Sequence, residues 1–194
     1  MFQITPVIKN IIIINVLFFI GQMMLPQVTF AMYPVFDDGF KVYQIVTNVF
    51  SHAGFNHLFF NMLTLVFLGT MLERQIDGKS FGIIYLLSAF GGLLINEGVN
   101  YLNAFHLGGS LSIVLGASGA VSGIVAALAT YAPNQEVRLI FPPIPVKMKW
   151  LALVFLVMDL RGGVSGVSDG VAHWVHIGGM ATGFLLMKFW YLRK

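Results

Sequence analysis

The residues that could do chemistry here are few. Ser118 sits in Gly116-Ala117-Ser118-Gly119-Ala120, with small neighbours that leave its hydroxyl reachable and no charge nearby. His173-Trp174-Val175-His176-Ile177-Gly178-Gly179-Met180-Ala181-Thr182-Gly183 lies in the last apolar stretch, where an embedded ionisable histidine marks a candidate functional site. A third stretch, His57-Leu58-Phe59-Phe60-Asn61, puts two polar side chains four apart on one helical face. A serine and a histidine on separate helices point to a nucleophile and the base that takes its proton, because a hydroxyl attacks poorly until it is deprotonated. Attack on an amide carbonyl creates an oxyanion, for which His57, Asn61 and the backbone N–H of Ser118 are the available donors. No carboxylate is well placed to complete a triad: Asp169 precedes His176 by seven residues and is not expected to be a third member, and Asp159 and Glu97 lie near the outer face. The reading is a Ser118–His176 dyad.

The elements that must hold these groups are membrane helices. Of 194 residues, 57% are hydrophobic and only 10% charged, with mean hydropathy +0.83, too few charges to build a water-facing surface. A span needs about 20 apolar residues. The pattern predicts six, at about residues 9–25, 56–72, 81–96, 117–131, 147–160 and 172–190, within a single domain covering 1–194. The first span reads as an uncleaved anchor. Residues 26–54, rich in prolines, aromatics and turn residues, predict an interfacial loop. Residues 98–115 read as a charge-poor connection, the Pro142-Pro143-x-Pro145 run as a rigid one, and residues 162–170 as a flexible glycine-rich linker. The expected class is therefore an all-α membrane protein, a bundle of six transmembrane helices.

Six spans put both termini on one side. Only Lys41 and Arg161 among the 11 basic residues fall opposite, so the positive-inside rule predicts cytoplasmic termini. His57, Asn61, Ser118 and His176 then share one depth in the outer half of the membrane; His176 lies about 6 Å below its helix start. Gly119 and Gly123 are four apart, as are Gly179 and Gly183, and such faces allow two backbones to approach closely. Docking them predicts that Ser118 and His176 meet. With no cysteine, thiolate chemistry and disulfides are excluded. His173 and His176 could share a metal, but no H-E-x-x-H motif or carboxylate accompanies them in that span, so neither metal nor other cofactor is expected. His52, His106 and His173 are expected to be interfacial or packing residues. Nothing forms a nucleic-acid patch.

Taken together, G-A-S-G at residues 116–119, H-I-G-G-x-x-x-G at 176–183, H-L-F-F-N at 57–61 and the stretch Tyr43 to His52 resemble the rhomboid family of intramembrane serine proteases in its minimal six-span form. The resemblance implies Ser118 as nucleophile, His176 as base, His57 and Asn61 as oxyanion donors, and packing roles for Gly116, Gly119, Gly123, Gly179 and Gly183. It also implies substrates that are transmembrane or juxtamembrane segments, cut near the outer face of a bacterial inner membrane without a cofactor. Three positions depart from the family's usual pattern: Tyr43-Gln44 stands for Trp-Arg, Ser122 for an aromatic ring, and Val175 for alanine. The rival reading is a rhomboid-like protein that binds membrane clients without cutting them; such proteins usually lack the serine or the histidine.

Overall fold

The computed structural model describes residues 3–25, 29–139, 142–166 and 170–191. A helix occupies each of the six stretches expected to be spans: α1 (Pro6–Met24), α3 (Phe55–Thr64) continuing to α4 (Thr70–Glu73), α5 (Gly78–Leu102), α6 (Ser118–Tyr131), α7 (Met148–Ser165) and α8 (His173–Leu185). A short α2 (Gln44–Thr47) interrupts the loop after α1. Wider π turns at Leu65–Gly69, Asn103–Leu107 and Leu186–Tyr191 join α3 to α4 and extend α5 and α8. Among the described residues, three continuous helices are long and apolar enough to cross a bilayer: Pro6–Met24, Phe55–Glu73 and Gly78–Leu107. Helix α6 is apolar but shorter, at 14 residues.

The surface is apolar and the interior partly polar. Leu94, Met158 and Phe60 are 74%, 63% and 62% exposed, whereas Asn15, His52, Thr70, Asn96 and Asp159 are buried. Water punishes that arrangement; a hydrocarbon solvent favours it, provided the buried polar groups find partners. Glu73 shows how one does. Its carboxylate accepts from Thr5 Oγ1 at 2.6 Å and from the N–H groups of Val7 and Ile8 at 3.1 Å, capping the start of α1. The first N–H groups of a helix lack internal partners and carry the positive end of its dipole, so an anion there satisfies both needs.

Helix α8 packs against both α5 and α6, and glycines set its distance to each. A Cβ on Gly179 would stand 2.0 Å from the Gly119 carbonyl oxygen, and one on Gly183 would stand 2.1 Å from that of Gly123. Toward α5, a Cβ on Gly178 would reach the Gly91 oxygen at 2.7 Å. The α6–α8 backbones therefore touch, and α5 packs against an adjacent face of α8 and against α6 as well, where a Cβ on Gly123 would stand 2.2 Å from Ser88.

Two expectations, the end of α5 and the glycine-rich linker, are corrected, and two connections gain detail. Helix α5 does not end near Asn96-Glu97 but runs on to Leu102, because Asn96 and Asn100 face inward and hold Ser112 of the following loop. Ser112 Oγ donates to Asn96 Oδ1 at 2.8 Å, Asn100 Nδ2 donates to the Ser112 oxygen at 3.0 Å, and the Ser112 N–H donates to Asn100 Oδ1 at 2.9 Å. The proline-rich connection is not merely rigid: β1 (Glu136–Arg138) and β2 (Pro145–Lys147) pair antiparallel, with Glu136 opposite Lys147. The supposed flexible linker begins as helix, since α7 continues through Gly162, Gly163 and Ser165 to a left-handed Gly166. These two glycines are there for packing: a Cβ on Gly162 would stand 2.2 Å from His173 Nε2, and one on Gly163 would stand 3.0 Å from the Trp174 ring. The rest of that linker, including Asp169, lies outside the described residues. Lastly, the loop after α1 is organised around a buried side chain. Gln44 accepts from the N–H groups of Lys41 and Tyr33 and donates to the Gly39 oxygen.

Candidate active site

Ser118 is the first residue of α6, reached through a backbone turn that only glycine adopts comfortably. Gly116 has φ 113° and its N–H donates to the Asn48 oxygen at 2.7 Å, fixing the approach to Ser118 against the first loop. A Cβ at Gly116 would also stand 2.6 Å from Cε1 of His57, so the imidazole of α3 lies directly on this turn. Two demands, a left-handed backbone and a ring pressed against it, call for the same residue. The same placement leaves the Ser118 N–H at the start of a helix, where it has no internal partner.

His176 lies one turn into α8. Its Nε2 is 2.9 Å from Ser118 Oγ. Val175 fits beside it because α5 and α6 offer glycines there. A Cβ on Gly92 would stand 2.5 Å from the Val175 oxygen, and one on Gly119 would stand 2.7 Å from Val175 Cγ1. Ser122, one turn after Ser118, presents no ring to brace the imidazole.

A carboxylate does that instead, and here the expectation that none was well placed is overturned. Asp159, near the end of α7, is buried, and its Oδ1 lies 2.9 Å from His176 Nδ1 and 2.8 Å from His173 Nδ1. Sequence reasoning passed over it because it is 17 residues from His176 on another helix, beyond the reach of any helical period. The available signal was a lone acid in the otherwise apolar run Trp150 to Leu160.

Of the expected donors, Asn61 is buried, and its Nδ2 donates to the His57 oxygen at 2.9 Å, which commits one of its two N–H groups within the helix. His57 Nδ1 accepts from the Ala53 N–H at 3.4 Å, leaving Nε2 on the side toward Gly116. His52 is fully buried, with its ring centroid 5.0 Å from that of His57 and its backbone N–H and oxygen both bonded to Gln22 of α1. Burial, together with the neighbouring His57, pushes the His52 imidazole down to about 4. His106 lies in the extension of α5, against Tyr101 and away from these groups.

Asp159, His173 and His176 offer three ligand atoms within 4.8 Å of one another, a spread a divalent ion could span. Each is hydrogen-bonded within the set.

The Rhomboid domain family model matches residues 39–193. The chain belongs to the rhomboid family. It is 36% identical over 135 residues to RHOMBOID-like protein 4 of Arabidopsis thaliana, covering 70% of this chain and 30% of that protein. It is 30% identical over 150 residues to Rhomboid protein 1, mitochondrial, of Saccharomyces cerevisiae, covering 77% and 42%. Rhomboid-type serine protease 2 of Emericella nidulans is 28% identical over 148 residues, covering 74% and 26%. The chain thus spans less than half the length of each of these relatives.

Proposed function

We propose that this protein is an intramembrane serine endopeptidase of the rhomboid type. The observation that carries the reading is the 2.9 Å contact between Ser118 Oγ and His176 Nε2 at the meeting of α6 and α8. Family membership and one relative named a serine protease support it. The six helical stretches are taken as six spans in one domain, with both termini cytoplasmic and Ser118 toward the outer face. The substrates are transmembrane or juxtamembrane segments of other membrane proteins. The named relatives come from a plant and two fungi, so the expected bacterial membrane gains no support from them.

The chemistry needs no cofactor. As Ser118 Oγ forms its bond to the scissile carbonyl carbon, its proton passes to His176 Nε2 and the carbonyl oxygen becomes an oxyanion. The Ser118 N–H at the start of α6, His57 Nε2–H and the uncommitted N–H of Asn61 are the donors for that charge, aided by the positive end of the helix dipole. When the C–N bond breaks, the Nε2 proton goes to the leaving amine. Water then repeats the sequence on the acyl-enzyme, giving up one proton to His176, and its oxygen forms the new acid as Ser118 leaves with that proton. Apolar surroundings strengthen each of these interactions by excluding water.

The test is cleavage of a model transmembrane substrate by purified protein, with a fluorophosphonate probe alongside. Wild type should cleave and label; Ser118→Ala and His176→Ala should do neither. Equal labelling of all three would remove the dyad. Binding of substrate by the wild type without turnover would favour a client-binding role instead.

A further inference from the structure

The Ser118–His176 pair is held by a group outside the expected dyad. We propose that Asp159 is a positioning residue for the reaction: it fixes the tautomer and the orientation of His176, and His173 holds the carboxylate in place. The proposal rests on the protease reading above. Its central step, the choice of which nitrogen carries the proton, is open to measurement without activity.

An ionised carboxylate only accepts hydrogen bonds. Oδ1 of Asp159 lies 2.9 Å from His176 Nδ1 and 2.8 Å from His173 Nδ1, so both nitrogens must donate to it. Neutral imidazole carries one N–H, and placing it on Nδ1 leaves Nε2 of His176 with a bare lone pair. That lone pair faces Ser118 Oγ at 2.9 Å, in the state needed to take the hydroxyl proton. The opposite tautomer would aim an N–H at the serine and could not act as a base. After transfer, the imidazolium keeps Nδ1–H on the carboxylate, and the negative charge of Asp159 stabilises the new positive one.

A purely structural role accounts poorly for this acid. Burying a carboxylate in an apolar helix is costly unless donors surround it, and a well-packed apolar residue would serve packing as well or better. The surrounding chain is shaped to bring donors to it. Gly162 lets the His173 ring lie against α7, and Gly163 does the same for Trp174. His173 and His176 are three apart, so one face of α8 presents both rings to Asp159. A second donor restrains the carboxylate that restrains the base. Among the described residues, Asp159 is the side chain bonded to His176 Nδ1, and Ser122 offers no ring to brace the imidazole.

The experiment compares Asp159→Asn, Asp159→Glu and His173→Gln with wild type, in full-length protein reconstituted with a model transmembrane substrate. Asparagine preserves shape but removes the charge, and its amide N–H₂, if turned toward His176, imposes the wrong tautomer. Where serine proteases use an Asp in this position, the same change costs about 10⁴-fold in kcat. Asp159→Asn should lower kcat at least about 100-fold with KM unchanged, Asp159→Glu should recover part of that loss, and His173→Gln should lose less than Asp159→Asn. In protein carrying ¹⁵N-labelled histidine, wild type should show His176 protonated on Nδ1, and Asp159→Asn should move proton occupancy to Nε2. The same spectrum taken on Ser118→Ala protein reads the tautomer with the nucleophile gone, so failure of the protease reading and failure of this one remain separate. Full kcat in Asp159→Asn, a loss seen only in KM, or wild-type His176 protonated on Nε2 would each overturn the proposal. Should the substituted chains fail to insert, the wild-type spectrum alone decides it.

Discussion

Gly179→Ala puts the packing argument to its hardest test, because it adds a single methyl group and leaves both reacting side chains in place. A Cβ at this position would stand 2.0 Å from the Gly119 carbonyl oxygen and 2.9 Å from the Gly119 carbonyl carbon, both backbone atoms. Ordinary contact begins at 3.4 Å, so α6 and α8 must separate there by about 1.4 Å. Neither side can give locally: Gly119 adjoins Ser118 on α6, and Gly179 lies one turn from His176 on α8. The 2.9 Å contact between Nε2 and Oγ would then open past hydrogen-bond length. Misplacement by about 1 Å costs roughly 10²-fold in rate, so a loss of at least that size is expected. Valine at the same position should be worse. Gly178 faces α5 instead, where a Cβ would meet the Gly91 oxygen at 2.7 Å. Gly178→Ala should therefore perturb the bundle, yet cost less activity than Gly179→Ala, since α5 carries neither reacting group. The assay is cleavage per correctly inserted molecule, with topology and thermal stability checked for each variant. Wild-type turnover by Gly179→Ala would refute the claim that these glycines set the Ser118–His176 distance.

Three further outcomes are expected. Asn61→Ala should lower kcat about 10²–10³-fold if its free N–H meets the oxyanion; unchanged kcat across several substrates would remove it from the site. Chelators such as EDTA should leave cleavage intact, because no step passes through a metal; loss of activity restored by adding back a divalent ion would place one in the Asp159–His173–His176 set. His52 stays neutral in the fold down to about 4, against an ordinary value of 6.5, so the folded state binds its proton less readily than the unfolded chain. Its contribution to stability is full above pH 6.5 and is lost as pH falls toward 4. His52→Gln should flatten thermal stability against pH across that window, and an identical slope in both proteins would contradict the reasoning.

Composition and local period carried much of this protein. A chain with 10% charged residues must face lipid, and each apolar stretch holds a helix because helix closes every backbone hydrogen bond within its own segment. The shared faces of Gly119 with Gly123, of Gly179 with Gly183 and of His176 with Gly179 were legible because side chains three or four apart share a face whatever the helix packs against. What the sequence could not supply was the register between helices. Asp159 meets His176 across the α7–α8 contact, and Glu73 reaches the start of α1 from 65 residues away. The length of α5 depends on Asn96 and Asn100 finding Ser112 across a fold of the chain. Glycines 162 and 163 read as flexible by composition, yet they are helical because two rings of α8 need their space. Each of these depends on how far one helix slides and turns against the next. Close packing in three dimensions sets that, and a one-dimensional period does not encode it.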